Sequence, residues 1–210
     1  MNELEVIAAE VRACQKCRLA ATRTHAVPGE GNPNAKIMFI GEAPGFNEDQ
    51  QGRPFVGAAG QLLNELLRMI GLDRREVYIT NVCKCRPTTD GRLGPPQNRA
   101  PLPDEIAACS PYLERQIAAL RPKVIVLLGR VSMGQIDSQR SMGQARGKPI
   151  RKDGIIYLPV YHPAAVFRQP ELRRALEEDF RKIPGLLAEA EAERPEAATT
   201  PARAEQLSLF

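Results

Sequence analysis

Four short apolar runs, separated by helical or polar stretches, constrain this chain more than any other feature. They are Lys36–Gly41 (KIMFIG), Val77–Val82 (VYITNV), Lys123–Gly129 (KVIVLLG) and Ile155–Val160 (IIYLPV). Ile, Val, Tyr and Phe dominate them, and three read as continuous rather than alternating, the pattern of strands buried on both faces. Between the first and second, Leu62, Leu63, Leu66, Leu67 and Ile70 mark a helical stripe that ends at Gly71. Between the second and third, Ile106, Leu113, Ile117 and Leu120 form another, with Pro111 expected to kink it or reset its start. The Leu172–Ile183 segment, with Leu172, Leu176 and Phe180, is a candidate covering helix. Strand and helix alternate, and the prediction is an α/β fold: a three-layer sandwich with a four-stranded parallel sheet between helices.

Composition narrows the class. The 210 residues are 43% hydrophobic and 26% charged, which excludes a wholly disordered or fibrous chain. No apolar stretch approaches the ~18 residues of a membrane span. The start, MNELEVIAAEVRAC, carries Glu3, Glu5 and Glu10 where an export signal needs basic and then apolar residues. A cytoplasmic protein is expected. From Glu189 onward the sequence turns rich in Ala, Glu, Pro and Thr, and is expected to be a flexible tail, so the chain divides into a body at 1–188 and a tail at 189–210. The tail holds five acidic and two basic residues, so a formal net charge of +4 leaves the body near +7.

In open α/β sheets, ligands bind beyond the carboxyl ends of the strands. The first strand runs into Gly41-Glu42-Ala43-Pro44-Gly45, the second holds Asn81 near its end, the third reaches Gly129-Arg130, and the fourth runs into Tyr161-His162-Pro163. A carboxylate, a carboxamide and an imidazole therefore converge on one rim. Each alone is more often a cap, a turn former or a structural histidine; their common placement points to a site. After Glu42 comes a polar loop ending in Phe55, ahead of a Gly/Ala-rich helix start. Phe55 either staples that helix to the core or offers its face to a planar ligand. An Asn can pair with both a donor and an acceptor on the edge of such a ligand, so an aromatic plus Asn81 suits a nucleobase.

Five cysteines without an export signal favour metal or redox chemistry over disulfides. Cys14 and Cys17 form a C-x2-C pair after an amphipathic helix, Cys83 and Cys85 a C-x-C pair, and Cys109 stands alone. Zinc sites commonly use two tight pairs, while iron–sulfur clusters accept scattered ligands, so both remain open with a lean to the cluster. Cys83, flanking a strand end, fits best as a core residue.

These motifs, GEAPG followed by NEDQQGRPFVGAAGQLL, then YITNVCKCRP, NRAP with a downstream Cys, and YHPA, resemble those of the family 4 iron–sulfur uracil-DNA glycosylases. The match runs from about Cys14 to Ile183. It implies a [4Fe–4S] cluster on Cys14, Cys17, Cys85 and Cys109, and a DNA-repair hydrolase that flips uracil out of single- or double-stranded DNA. The N-glycosidic bond would be cleaved without a lyase step. The resemblance further implies that Gly41, Glu42 and Ala43 contact uracil, Phe55 stacks on it, Asn81 reads its Watson–Crick edge and His162 faces its O2. Glu42, Asn81 and His162 are the implied catalytic residues. A donor at O2 stabilises the departing uracil as an oxyanion hole would. Where relatives with a GQDPY motif place a water-positioning Asp, this chain has Ala43, leaving Glu42 or leaving-group stabilisation. The branch that forms a covalent adduct through a KRRIH loop has no counterpart here, since His25 and His162 are the only histidines. Residues 88–96, from Thr88 to Pro96, look like an insertion, which a surface loop tolerates.

In the same alignment Pro163–Arg168 would enter the minor groove, with Val166 or Phe167 as the wedge unless Phe167 packs inward. Lys148, Arg151, Lys152, Arg168, Arg173 and Arg174 are candidate phosphate contacts. The terminal Gln206-Leu207-Ser208-Leu209-Phe210 resembles the pentapeptide with which bacterial repair proteins dock on the DNA sliding clamp, so Gln206, Leu207, Leu209 and Phe210 are candidate clamp contacts. No membrane partner is expected, the protein is expected to be a monomer, and the resemblance implies that it associates with the nucleoid. Two rivals stand beside this reading: a noncatalytic metal-bearing DNA-binding module, and a glycosylase for other deaminated or damaged bases.

Overall fold

A computed structural model describes residues 2–89 and 95–192. The four apolar runs become parallel strands at the middle of one sheet: β2 (Ile37–Gly41), β3 (Tyr78–Asn81), β4 (Val124–Leu128) and β6 (Ile155–Val160). Among the described residues the sheet itself is mixed and six-stranded: with β1 (Glu30–Gly31) and β5 (Ile150–Lys152) at its margins, the order is β1-β3-β2-β4-β6-β5. These two short antiparallel strands, β1 on β3 and β5 on β6, extend the predicted four-stranded parallel sheet at its edges. The correction has a local cause. A two-residue strand has no readable period, and β5 pairs back through Asp153 and Gly154, both at positive φ (52° and 74°), as in a two-residue hairpin turn.

Among the described residues eight α-helices surround the sheet: α1 (Glu3–Ala13), α2 (Phe46–Gln51), α3 (Ala58–Met69), α4 (Pro103–Leu120), α5 (Arg130–Gly134), α6 (Met142–Ala145), α7 (Leu172–Phe180) and α8 (Ile183–Ala192). Side chains along a strand alternate between faces, so each parallel strand feeds two cores. Ile37 and Phe39 of β2 pack with Leu63 and Leu67 of α3, Phe180 of α7 and Leu186 of α8. Met38 and Ile40 pack on the opposite face with Leu4 of α1 and Leu113 and Leu120 of α4. The three layers follow from that division.

Two helices depart from the expected bounds. α4 starts upstream of Pro111 and runs through it, with Pro111 exposed on its outer side. The expected Leu172–Ile183 helix ends at Phe180, and α8 begins at Ile183 and continues to Ala192, past the Glu189 where the tail was expected to start. Ala and Glu are good helix formers. Buried Ala190, with ion pairs from Lys36 to Glu191 and from Arg151 to Glu189, ties this last turn to the body. The clamp-like residues Gln206, Leu207, Leu209 and Phe210 lie outside the described residues, as does 90–94 of the insertion. The insertion's base is zipped: Thr88 and Asn98 form a bridge, and the Thr89 N–H donates to the Gln97 carbonyl at 2.9 Å.

Candidate active site and cysteine site

The carboxyl ends of β2, β3 and β6 open into a cavity of about 670 Å³, lined by Glu42, Phe55, Asn81 and His162 among others. Gly41 is not among the lining residues; it lies beside Asn81, its register partner across β2 and β3. A Cβ on Gly41 would lie 2.4 Å from Asn81 Oδ1 and 2.7 Å from Phe55 Cζ. Glycine at this position is what lets the carboxamide and the aromatic ring approach each other.

Phe55 is buried in the core, with a left-handed φ of 51° that a bulky residue adopts only when held. Two contacts hold it. Arg74 Nη1 donates to the Phe55 carbonyl at 3.0 Å, and Arg74 also bonds the Pro54 carbonyl and Glu30. The start of α3 presses against the same carbonyl, where a Cβ on Gly60 would come within 1.8 Å of the Phe55 oxygen. The Phe55 ring stacks with the His162 ring at 5.6 Å between centroids and 27° between planes. The Phe55 backbone thus packs against the start of α3, while its ring lies in the cavity wall.

His162 stands at the start of a 3₁₀ turn, Pro163–Phe167, and its Nδ1 accepts the Ala164 N–H at 3.1 Å. Burial pulls the imidazole down to about 4, against the opposing pull of the Glu48 carboxylate. The ring is then neutral at physiological pH, and with Nδ1 accepting, its proton sits on Nε2. Glu42 has no side-chain hydrogen-bond partner among the described residues, and burial raises its carboxyl above the usual carboxylate value. The Asn81 carboxamide, buried at the end of β3, likewise has no side-chain partner among the described residues and borders the cavity. Three polar groups thus face the cavity uncommitted: a carboxyl, a carboxamide and an Nε2–H donor.

Several contributors were not singled out from the sequence. Glu48 accepts from the N–H groups of Gly45 (3.1 Å), Val56 (2.9 Å) and Gly57 (2.9 Å), tying the loop after β2 to the start of α3. Asn98 lines the cavity and accepts from Arg86 at 2.6 Å, and Arg86 in turn lies 5.1 Å from the centre of the exposed Phe46 ring at the cavity's rim. A lone Glu or Arg in a polar loop gives no periodic signal, so only three-dimensional placement reveals these roles. His25 is separate: its Nδ1 lies 3.1 Å from the Asp49 carbonyl.

The wedge candidates divide. Val166 is 7% exposed and belongs to the core, whereas Phe167 is 57% exposed beside it. Of the candidate phosphate contacts, Arg173 and Arg174 pair with helix carboxylates, and Arg151 pairs with Glu189. Arg168 lines the cavity, while Lys148 and Lys152 are exposed near the β5 edge.

All five cysteines are free. They line one narrow cavity between α1, α4 and the segment after β3. Cys85 and Cys109 are held by donors: Arg23 Nη1 lies 3.2 Å from Cys85 Sγ, and the Lys84 N–H lies 3.2 Å from Cys109 Sγ. Lys16 and Arg23 bring cations to the same cavity. Such neighbours favour thiolates, but burial outweighs Arg23 at Cys85 and pushes that thiol up to about 11, and burial also raises the Cys17 thiol. Among the described residues, no three His, Cys, Asp or Glu side chains close on a point as ligands of a single ion would. Cys83 packs into the core against the sheet, as its position suggests, while also bordering this cavity.

Comparison with known proteins gives a consistent result. Residues 28–183 match the model of the uracil DNA glycosylase superfamily. The type-4 uracil-DNA glycosylase of Sulfurisphaera tokodaii is 53% identical over 193 residues, covering 87% of this chain and 84% of that protein. The type-4 enzyme of Thermotoga maritima is 44% identical over 184 residues, covering 85% and 92%. The crystal structure of Pedobacter heparinus SMUG2 shares the fold at a TM-score of 0.55 and 11% identity, covering 91% of this chain and 98% of that one.

Proposed function

The chain belongs to the uracil DNA glycosylase superfamily, and from that premise we propose that it excises uracil from DNA by hydrolysing the N-glycosidic bond. The observation that carries this reading is the neutral His162, with its Nε2–H, stacked on Phe55 in the cavity that Asn81 also lines. Glycosidic cleavage leaves negative charge on the uracil and positive character on the sugar. A fixed Nε2–H donor at O2 meets the charge on the leaving group, and removing one such donor typically costs about 10²–10³ in rate. Asn81 supplies both a donor and an acceptor to the uracil edge, while Phe55, Gly41 and the Ala43 backbone shape a flat slot. Ala43 offers no carboxylate for a water, so the chemistry rests on leaving-group stabilisation with Glu42 as the nearby carboxyl. No lysine lines the cavity among the described residues, which favours hydrolysis over a Schiff-base lyase step.

The cysteine site fits an iron–sulfur cluster. Cys14, Cys17, Cys85 and Cys109 would hold it, with Cys83 left as a packing residue. Thiol ligands set around a volume, with N–H donors and cations beside the sulfurs, suit a multi-iron, negatively charged group better than a single zinc ion. When bound, such a group braces the cysteine-bearing segments against one another. Phe167, as the exposed member of its pair, suits the wedge that fills the gap left by a flipped base. Gln206, Leu207, Leu209 and Phe210 remain a proposed clamp ligand, and their deletion should abolish clamp binding while sparing activity on short oligonucleotides.

The decisive assay incubates the purified protein with uracil-containing single- and double-stranded oligonucleotides and measures free uracil and abasic sites. Release by the wild type, reduced at least about a hundredfold in Asn81→Ala and His162→Ala, is expected. No release by brown, iron-loaded protein would sink the proposal.

A further inference from the structure

Between the two cavities stands one residue that touches the framework of both. Lys84 is 1% exposed, flanked by Cys83 and Cys85. Its peptide N–H donates to Cys109 Sγ at 3.2 Å. Its side chain turns back toward the sheet, where Nζ donates to the Asn81 carbonyl at 2.6 Å, Thr80 Oγ1 at 2.7 Å and Gln116 Oε1 at 2.6 Å. An ammonium has three hydrogens, and these three bonds use all of them. Gln116 is itself fully buried and donates to the Pro28 carbonyl at 2.7 Å, so the acceptor cage is anchored on a second element.

Packing alone does not call for this arrangement. Burying an ammonium costs several kcal/mol before its partners compensate, and an apolar chain of similar length would fill the volume without that cost. Its three acceptors are neutral, and no carboxylate pairs with it among the described residues. The Asn81 carbonyl explains the placement. Asn81 is the last residue of β3, and the chain enters the cysteine segment with two more bonds to the end of β2, from the Val82 N–H to the Gly41 carbonyl (2.9 Å) and from the Cys83 N–H to the Glu42 carbonyl (3.0 Å). The Val82 N–H holds one edge of the peptide that follows Asn81, and the bond from Lys84 holds the other, its carbonyl; together they set the direction in which the Asn81 side chain leaves the backbone.

We infer that Lys84 is a positioning residue for base recognition: anchored at Cys109, it clamps the Asn81 backbone so that the carboxamide is held at the uracil edge. This rests on the proposed role of Asn81 in the cavity.

The test uses the full chain and two variants, Lys84→Met and the double variant Lys84→Met/Gln116→Leu. Each is measured for iron per chain, thermal stability, and affinity for an oligonucleotide carrying non-cleavable 2′-fluoro-2′-deoxyuridine relative to the same oligonucleotide with thymidine. Lys84→Met is expected to keep its iron and its affinity for thymidine DNA, and to lose roughly tenfold in the uracil-to-thymidine ratio. The double variant removes a polar group that the single change strands, so it should recover stability. It should not recover the ratio, because the Asn81 carbonyl is still unheld. An unchanged ratio in either folded variant overturns the inference, as does a ratio that returns together with stability. Failure of both variants to fold with iron would assign Lys84 to folding instead, and also overturns it. Asn81→Ala is the control: a wild-type ratio there defeats the proposed role of Asn81 itself, a separate failure.

Discussion

The ring of Phe55 stacks with that of His162 at 5.6 Å and 27°, although the two residues arrive from different directions: one ends the loop before α3, the other follows β6. The contact excludes water from one face of the imidazole and contributes to the burial that keeps it neutral. A neutral ring with an accepting Nδ1 presents a fixed donor, so packing and chemistry meet in this pair.

The first prediction concerns pH. The unfolded-state imidazole titrates near about 6.5, and in the folded protein burial pulls it to about 4. Between those values the unfolded state binds more protons, so this group's contribution to stability is fully present above the higher value and is lost as pH falls through the lower. Melting temperature should therefore fall more steeply below pH 6 in wild type than in His162→Gln. Uracil release should show no His162 ionisation between pH 6 and 8. A limb near pH 6.5 that disappears in His162→Gln would contradict the neutral assignment.

Gly41→Ala tests the packing beneath two of the cavity's lining side chains, Asn81 and Phe55. Its Cβ would meet Asn81 Oδ1 at 2.4 Å and Phe55 Cζ at 2.7 Å, and both groups must move. A displacement approaching 1 Å costs about a hundredfold in rate. The variant should lose that much kcat/KM on uracil DNA while keeping its iron; a rate within a factor of three of wild type would remove Gly41 from the site.

Arg74 should matter to stability and activity together. Arg74→Met strands the Pro54 and Phe55 carbonyls and leaves the left-handed Phe55 without one of its two restraints. Unmade hydrogen bonds of this kind cost about 1–3 kcal/mol. Chemical denaturation should show a loss in that range, accompanied by weaker binding of uracil DNA. Loss of stability with binding intact would mean that Gly60 and α3 suffice to hold the ring.

Phe167→Ala separates base extrusion from base recognition. A wedge is needed where a base pair must be opened and its gap filled. Activity on double-stranded uracil DNA should drop about tenfold or more, with single-stranded activity near wild type. Equal loss on both substrates would place Phe167 elsewhere in the mechanism.

The central strands were legible because a strand buried on both faces writes an unbroken apolar run, and β2, β3, β4 and β6 fall within a residue of the four runs. Their carboxyl ends then located Glu42, Asn81 and His162, which the structure brings to one cavity. The Asp153-Gly154 pair was a hairpin signal in plain sight, but the three-residue β5 before it carries Arg151 and Lys152 and no apolar period. Glu48 and Lys84 were not legible for another reason. Each works through contacts with residues on other segments, and a single charged residue in sequence looks the same whether it is solvated or caged.

The two edge strands have a consequence for the protein's behaviour at high concentration. A parallel sheet ending at β3 and β6 would present two apolar, unpaired backbones, ready templates for joining another chain edge to edge. Here β1 is only two residues long and β5 only three, with two of those three cationic. Short, charged margins offer an incoming strand little to pair with. They protect a hydrophobic sheet from aggregation without covering the opposite feature, the open carboxyl rim.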